Sequence, residues 1–403
     1  MKFGNFVIIS MLLFFLTGCE SRISKISFCA WDHEWMQQIK KSCKKGSCRY
    51  QGAINNLKSA ADGALQKEAH TVAAKKNVPS GVSPNDYLTF PPYWWPDSAS
   101  HNGLPYIRRY NEINPAHDSD YRQLEMMVQR VCTLSLAWFF SGEKKYAAAA
   151  AGQLRVWFID PRTRMNPNLR YAQSIPGRRE GRAAGIVEAQ SLASLVDAVL
   201  LLNASKAIHE DDFEKIKEWF VGYFNGLCNS QQGSDVENFP NGNALSYDFQ
   251  VIAIADFLGD SQFVVNKLAQ IFPRIDKMID ATGKQPAELR REESFSNSVA
   301  NIDNFFNIGE IGLKYGVDIF SYKNEAGTPA LQSALDFLCG YLGNSNSWQW
   351  LQTDNWETAE NSLGLLIRRA GRYFGNTEYE IMWEQAFAAQ LGAHWNLLVF
   401  AGL

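Results

Sequence analysis

Histidine is scarce in this chain. Its 403 residues hold six, His33, His70, His101, His117, His209 and His394. None of them lies at zinc-ligand spacing from a cysteine or another histidine, so no metal centre is expected. Seven cysteines are too few for a disulfide scaffold of this length. A net charge of −3 excludes general nucleic-acid binding, and any anionic partner must be held by a local basic cluster. Alternating strand patterns are missing.

What is present in excess is aromatic and apolar. The chain is 46% hydrophobic, 13% aromatic and carries 12 Trp. Such side chains fill large cores, and where exposed they stack on sugar faces. Near the N-terminus, Lys2 precedes the apolar run "FVIISMLLFFL" (Phe6 to Leu16), which reads as a targeting segment outside the fold. It leads into "LTGC", which resembles the bacterial lipobox. That resemblance implies lipidation of Cys19 and a periplasmic protein tethered to the outer membrane of a Gram-negative bacterium. An exported chain can oxidise its thiols. Cys43 and Cys48 are close enough to pair, with Cys29 a competitor for either, whereas Cys132, Cys228 and Cys339 sit in apolar helical patterns.

Helical periodicity runs nearly throughout. Leu124, Met127, Val131, Leu134 and Trp138 recur three or four residues apart, as do Phe213, Ile216, Phe220, Tyr223 and Leu227. Further helices are expected over 146–158, 186–202, 244–258, 262–279, 302–315, 330–341, 357–372 and 378–391. Ten to twelve helices in antiparallel pairs, joined by Gly, Asn and Pro loops, predict an all-α toroid or solenoid rather than a bundle. The domain reading is a signal and lipobox over 1–19, a tether and N-terminal arm over 20–50, and one toroid domain over 51–403. A monomer is expected.

Three loops are longer than packing needs, and long loops on rigid scaffolds are where sites usually sit. The first, residues 79–114, carries Tyr93, Trp94 and Trp95 with Arg108 and Arg109. These rings either plug the edge of the core or form a platform for pyranose rings beside charges for acidic groups. The second, residues 160–185, is rich in arginine (Arg162, Arg164, Arg170, Arg178, Arg179, Arg182) with no lysine between. Arginine is the better grip on planar carboxylates. The third, residues 233–247, runs through "NGNALSYDFQ" into a buried helix. A fourth segment, "GKQPAELRREESFSNS", sets Arg290 and Arg291 beside Asn297. Asn243 and Ser298 are also plausible helix caps.

The blocks "YLTFPPYWWPD", "GLPYIRR", "RMNPNLRYAQSIPG", "YDFQ" and "GKQPAEL", in that order across residues 75–341, resemble the alginate lyase family of polysaccharide lyases. The resemblance implies an (α/α) toroid, an incomplete barrel of antiparallel helix pairs. It also implies a groove that cuts acidic polysaccharides by β-elimination, with no obligatory cofactor or metal. That reaction needs donors that neutralise the uronate carboxylate, a base for the C5 proton and an acid for the leaving oxygen. By the resemblance, Asn241 and Arg291 keep the neutralising positions, while Asn243 stands where the family has its His and Asn297 where it has its Tyr. Asn is no general base. Tyr247, Tyr171, Lys75 and Lys76 are candidate replacements, and His101 and His117 flank the aromatic loop.

The expected sugar-binding set is Lys76, Tyr93, Trp94, Trp95, Arg108, Arg109, Arg164, Asn166, Tyr171, Gln173, Arg178 and Gln285. Two functions compete: a lyase with a rearranged acid–base pair, and a pseudo-lyase that binds acidic glycans without cutting. A structural envelope lipoprotein is a third reading.

Overall fold

The computed structural model describes residues 26–44, 48–76, 78–110, 112–324, 327 and 329–402. The segment expected to be a targeting signal and lipobox, residues 1–19 with Cys19, lies outside these residues. In chain order the helices are α1 (His33–Lys44), α2 (Gln51–Leu65), α3 (Ser119–Ser141), α4 (Lys144–Leu154), α5 (Ser191–Ala204), α6 (Glu210–Asn229), α7 (Gln231–Glu237) and α8 (Gly242–Leu258). They continue with α9 (Ser261–Ala269), α10 (Ile271–Met278), α11 (Ser294–Lys314), α12 (Ala330–Cys339), α13 (Trp356–Phe374), α14 (Thr377–Ala386) and α15 (Ala388–Leu391). The described strands are β1 (Trp94–Trp95) and β2 (Ile107–Arg108), antiparallel, with Trp94 opposite Arg108 and Trp95 opposite Ile107. The helix expected over 262–279 divides at Gln270, where Pro273, in the next turn, has no N–H to continue the ladder.

An inner row is formed by α3, α5, α8, α11 and α13, each packed on the next, with α4 against α3, α6 and α9 against α8, α12 against α11 and α14 against α13. This is the (α/α) toroid. α8 is its most enclosed member, buried on every side from Ala244 to Ala255, and a helix apolar all round belongs in a core. Its polar residues are matched to partners. Gln250 donates to the Ile186 carbonyl at 3.1 Å and accepts from the Tyr223 hydroxyl at 3.0 Å. Asp248, 1% exposed, meets Lys267 of α9 at 3.0 Å and also Arg274 of α10. The family-like "YDFQ" block thus anchors a helix.

The N-terminal arm packs against the rest of the chain where it is described. Phe28, Cys29, Trp31, Met36 and Ile39 are buried in the common core. The Asp197 carboxylate on α5 accepts the backbone N–H groups of Cys29, Ala30 and Trp31 at 2.6, 2.9 and 2.9 Å. The chain's other end closes on the same place. Asp32 N–H donates to the Val399 carbonyl at 2.9 Å, Trp35 to Leu397 at 3.0 Å, and Arg368 of α13 to Phe400 at 3.1 Å. Cys43 and Cys48 form a disulfide, and Cys29 instead points its thiol at the Ala253 carbonyl.

Candidate active site

The sequence "NGN" caps α8. The Asn241 side chain accepts the Asn243 N–H at 3.2 Å, and Gly242 N–H donates to Glu288 Oε1 at 2.7 Å. A Cβ at 242 would stand 2.9 Å from the Asn301 amide oxygen, so a side chain there would have to push that amide aside. The second oxygen of Glu288 holds the Arg291 guanidinium at 2.8 Å. One buried carboxylate therefore fixes both the start of α8 and the direction of Arg291.

Arg291 and Asn243 line a cavity of about 570 Å³ together with Gln173, Tyr121, Glu125, Glu188, Asp303 and Asn307. Gln173 reaches it from the second long loop. It sits in the left-handed backbone region at φ 52°, uncommon for a residue with a side chain. The conformation is held by its N–H on Thr89 Oγ1 at 2.8 Å and by Arg182 on its amide oxygen. Thr89 and Tyr87 also bond Glu188, at 2.7 and 3.1 Å. Burial pushes the Glu188 carboxyl up, against these hydrogen bonds and the Arg182 charge. Asp303 and Asn307 are tied to Arg369 at 3.0 and 3.1 Å.

A second cavity of about 350 Å³ is lined by Tyr171, Ser174, Arg178, Arg179 and Gly81 among others. Residues 171–174 border both spaces, so the two follow one another along this loop. The β1–β2 hairpin flanks the second cavity. Tyr106 N–H donates to the Pro176 carbonyl at 2.9 Å, Arg178 donates to the Tyr106 carbonyl at 2.9 Å, and the Arg178 guanidinium lies 5.6 Å from the Trp94 ring. Gly177, at φ 79°, permits this approach, since a Cβ would fall 2.7 Å from Pro105 Cα. Trp95 is covered by Arg109 at 4.9 Å, Arg108 lies over Tyr110 at 5.1 Å, and Tyr93 is exposed. Tyr93, Trp94 and Trp95 are not part of the common core, and none of them lines either cavity.

Several expected site residues lie elsewhere. Tyr247 is 3% exposed and turns toward Lys267 and Cys228, away from the cavity, so it is no proton donor there. Gln285 is 1% exposed and spans Ser298 and Asn301 within the scaffold. Lys75 is a latch, donating to the carbonyls of Val72, Pro84 and Asp86 and pairing with Asp120 at 3.0 Å. Lys76 and Arg164 are exposed and line neither cavity. Asn166 bonds Asp86 at 2.7 Å. Asn297 sits on the first turns of α11, and Asn241 serves as the cap; neither is among the cavity-lining residues. His101 and His117 stay outside both cavities.

The arginine-rich loop is less cationic than its composition implies. Arg162 pairs with Asp160 at 2.7 Å, Arg170 with Glu180 at 2.7 Å, and Arg155 with Asp212 at 2.5 Å. Tyr121, Glu125, Glu188 and Asn307 escaped the sequence reading. The one hint was the four-residue spacing of Tyr121 and Glu125, which puts both on one helix face. Among the described residues, no group of three or more His, Cys, Asp or Glu side chains could hold a metal ion.

A ring of paired helices around a polar, arginine-bearing cavity defines an (α/α)-toroid protein. The family model described as alginate lyase matches residues 71–348, and the chain belongs to that family. An alginate lyase from Bacteroides ovatus is similar over 94% of this chain and 100% of its own, at 30% identity and a TM-score of 0.86. Alginate lyase A1-III from Sphingomonas species A1 shares the fold at 14% identity and a TM-score of 0.53, covering 87% of this chain and 94% of its own. Among curated proteins none matches.

Proposed function

We propose that the chain is a polysaccharide lyase that cleaves a uronate-containing polysaccharide such as alginate by β-elimination. The observation that carries this reading is the meeting of Arg291, Asn243 and Gln173 in one cavity beside the start of α8. In that arrangement Arg291, aimed by Glu288, grips the uronate carboxylate through charge-assisted hydrogen bonds. The amides of Asn243 and Gln173 supply further donors. Drawing charge onto the carboxylate acidifies C5–H and stabilises the enolate-like state that follows. Trp94, Arg178 and Tyr171 hold the neighbouring sugars at the second cavity.

The screen that tests it offers the mature protein a panel of mannuronate, guluronate and glucuronate polymers and follows ultraviolet absorbance. A rise from new C4–C5 double bonds on at least one polymer is the expected result. A second reading, a pseudo-lyase that binds without cutting, is favoured by the amides at 243 and 297, where the family has proton-transfer groups. Flat absorbance on every polymer, with binding that weakens as salt is added, would establish it instead.

The same proposal places the protein in the periplasm as a monomer, anchored to the outer membrane by lipid on Cys19. Metabolic labelling with a radioactive fatty acid is expected to mark the wild type and not Cys19→Ser. Equal labelling of both removes the anchor.

A further inference from the structure

We propose that Tyr121 and Glu125 of α3 carry the two proton transfers of the elimination, in place of the residues replaced by Asn243 and Asn297. The assignment rests on the lyase reading above. It starts from what lines the cavity. Arg291 and Asn243 enter from the loop before α11 and from the start of α8. The titratable side chains that share their space are Tyr121, Glu125, Glu188 and Asp303. Two of these are already engaged. Asp303 is paired with Arg369 at 3.0 Å, and Glu188 is bonded by Thr89 and Tyr87. Tyr121 is 37% exposed and Glu125 half-buried. Spaced four residues apart on α3, they stand one above the other, about 5–6 Å between Cβ atoms. That separation suits two groups acting on adjacent carbons of one sugar ring.

The chemistry balances as follows. The Glu125 carboxylate takes the C5 proton. The C5–H electron pair forms the C4=C5 double bond as the C4–O bond breaks. The departing glycosidic oxygen takes the Tyr121 hydroxyl proton. The proton on Glu125 then returns to the Tyr121 phenolate, directly or through water, and both groups regain their starting states. Burial suits each to its task. It pushes the Glu125 carboxyl upward, strengthening it as a base, with the neighbouring Ser191 hydroxyl pulling the other way. It also raises the Tyr121 phenol, as do Glu125, Glu188 and Asp118, so the phenol holds its proton until the leaving oxygen needs it.

The base must be ionised. Elimination is therefore lost as the pH falls through a Glu125 pKa above the ordinary glutamate range. The other charged groups facing the pair are Glu188 with Arg182 behind it, Arg291, Asp303 with Arg369, and Asp118 on the same helix.

The test uses the mature chain with Tyr121→Phe and Glu125→Gln, each a near-isosteric change. The expected result is a fall in kcat of about 100-fold or more in each variant, with polymer binding essentially unchanged. Glu125→Gln should also abolish the acid limb of the pH profile. Either variant cutting at the wild-type rate overturns the assignment and leaves the lyase reading intact. A wild type that cuts no uronate polymer overturns both. Should a variant fail to fold, the wild-type profile decides, since a rate that does not fall in acid is incompatible with a carboxylate base.

Discussion

Arg291→Ala is expected to lower kcat/KM for a uronate polymer by about 100- to 1,000-fold, the usual cost of removing one donor from a developing oxyanion. The effect has two parts. The cavity loses its charge-assisted grip on the carboxylate. In addition, Glu288 keeps its bond to the Gly242 N–H at 2.7 Å but loses the guanidinium at 2.8 Å, and this leaves an uncompensated negative charge beside the space the substrate must enter. Arg291→Lys should restore only part of the activity, because an ammonium cannot make two parallel hydrogen bonds to a carboxylate. Initial rates by ultraviolet absorbance, with binding measured separately, check both statements. The fold should survive, since the Arg291 side chain is 32% exposed. Unchanged binding and rate would mean that the cavity is not where the acidic sugar sits.

Asp248→Ala should produce the largest loss of stability among single changes near the site, about 3–5 kcal/mol. Asp248 is 1% exposed and lies between Lys267 and Arg274, whose side chains are only 6% and 12% exposed. Lys267 would still have Glu237, but Arg274 would lose its carboxylate partner in a place water hardly reaches. Equilibrium unfolding in denaturant measures the difference. The consequence reaches the cavity, because α8 carries Asn243 at its start and Asp248 is what fastens that helix to α9 and α10. A change of less than 1 kcal/mol would show that the surrounding core, not the ion pairs, holds α8 in place.

Much of the architecture is written in local periodicity. The spacing of Leu124, Met127, Val131 and Leu134 gives α3 directly, and all four are buried. The loops that reach the cavities were also legible, because their length and composition exceed what connections need. What periodicity does not disclose is direction. α8 is buried all round, so no apolar stripe tells which way Tyr247 turns. Gln285 stands in a family-like block yet serves the scaffold. The arginine run shows the same limit. Asp160 and Glu180 are visible in it as the only acids, but that they neutralise Arg162 and Arg170 depends on how the loop folds back. Tyr121 and Glu125 were hidden for a different reason. They share a cavity with Arg291 only through the arrangement of the inner helices, a juxtaposition of distant parts of the chain.

The first described residues are joined to the last. The turn at 397–400 supplies carbonyl acceptors for Asp32, Trp35 and Arg368. Losing that turn would strip these acceptors from the N-terminal arm and from α13 at once, so the two ends of the described chain are expected to loosen together.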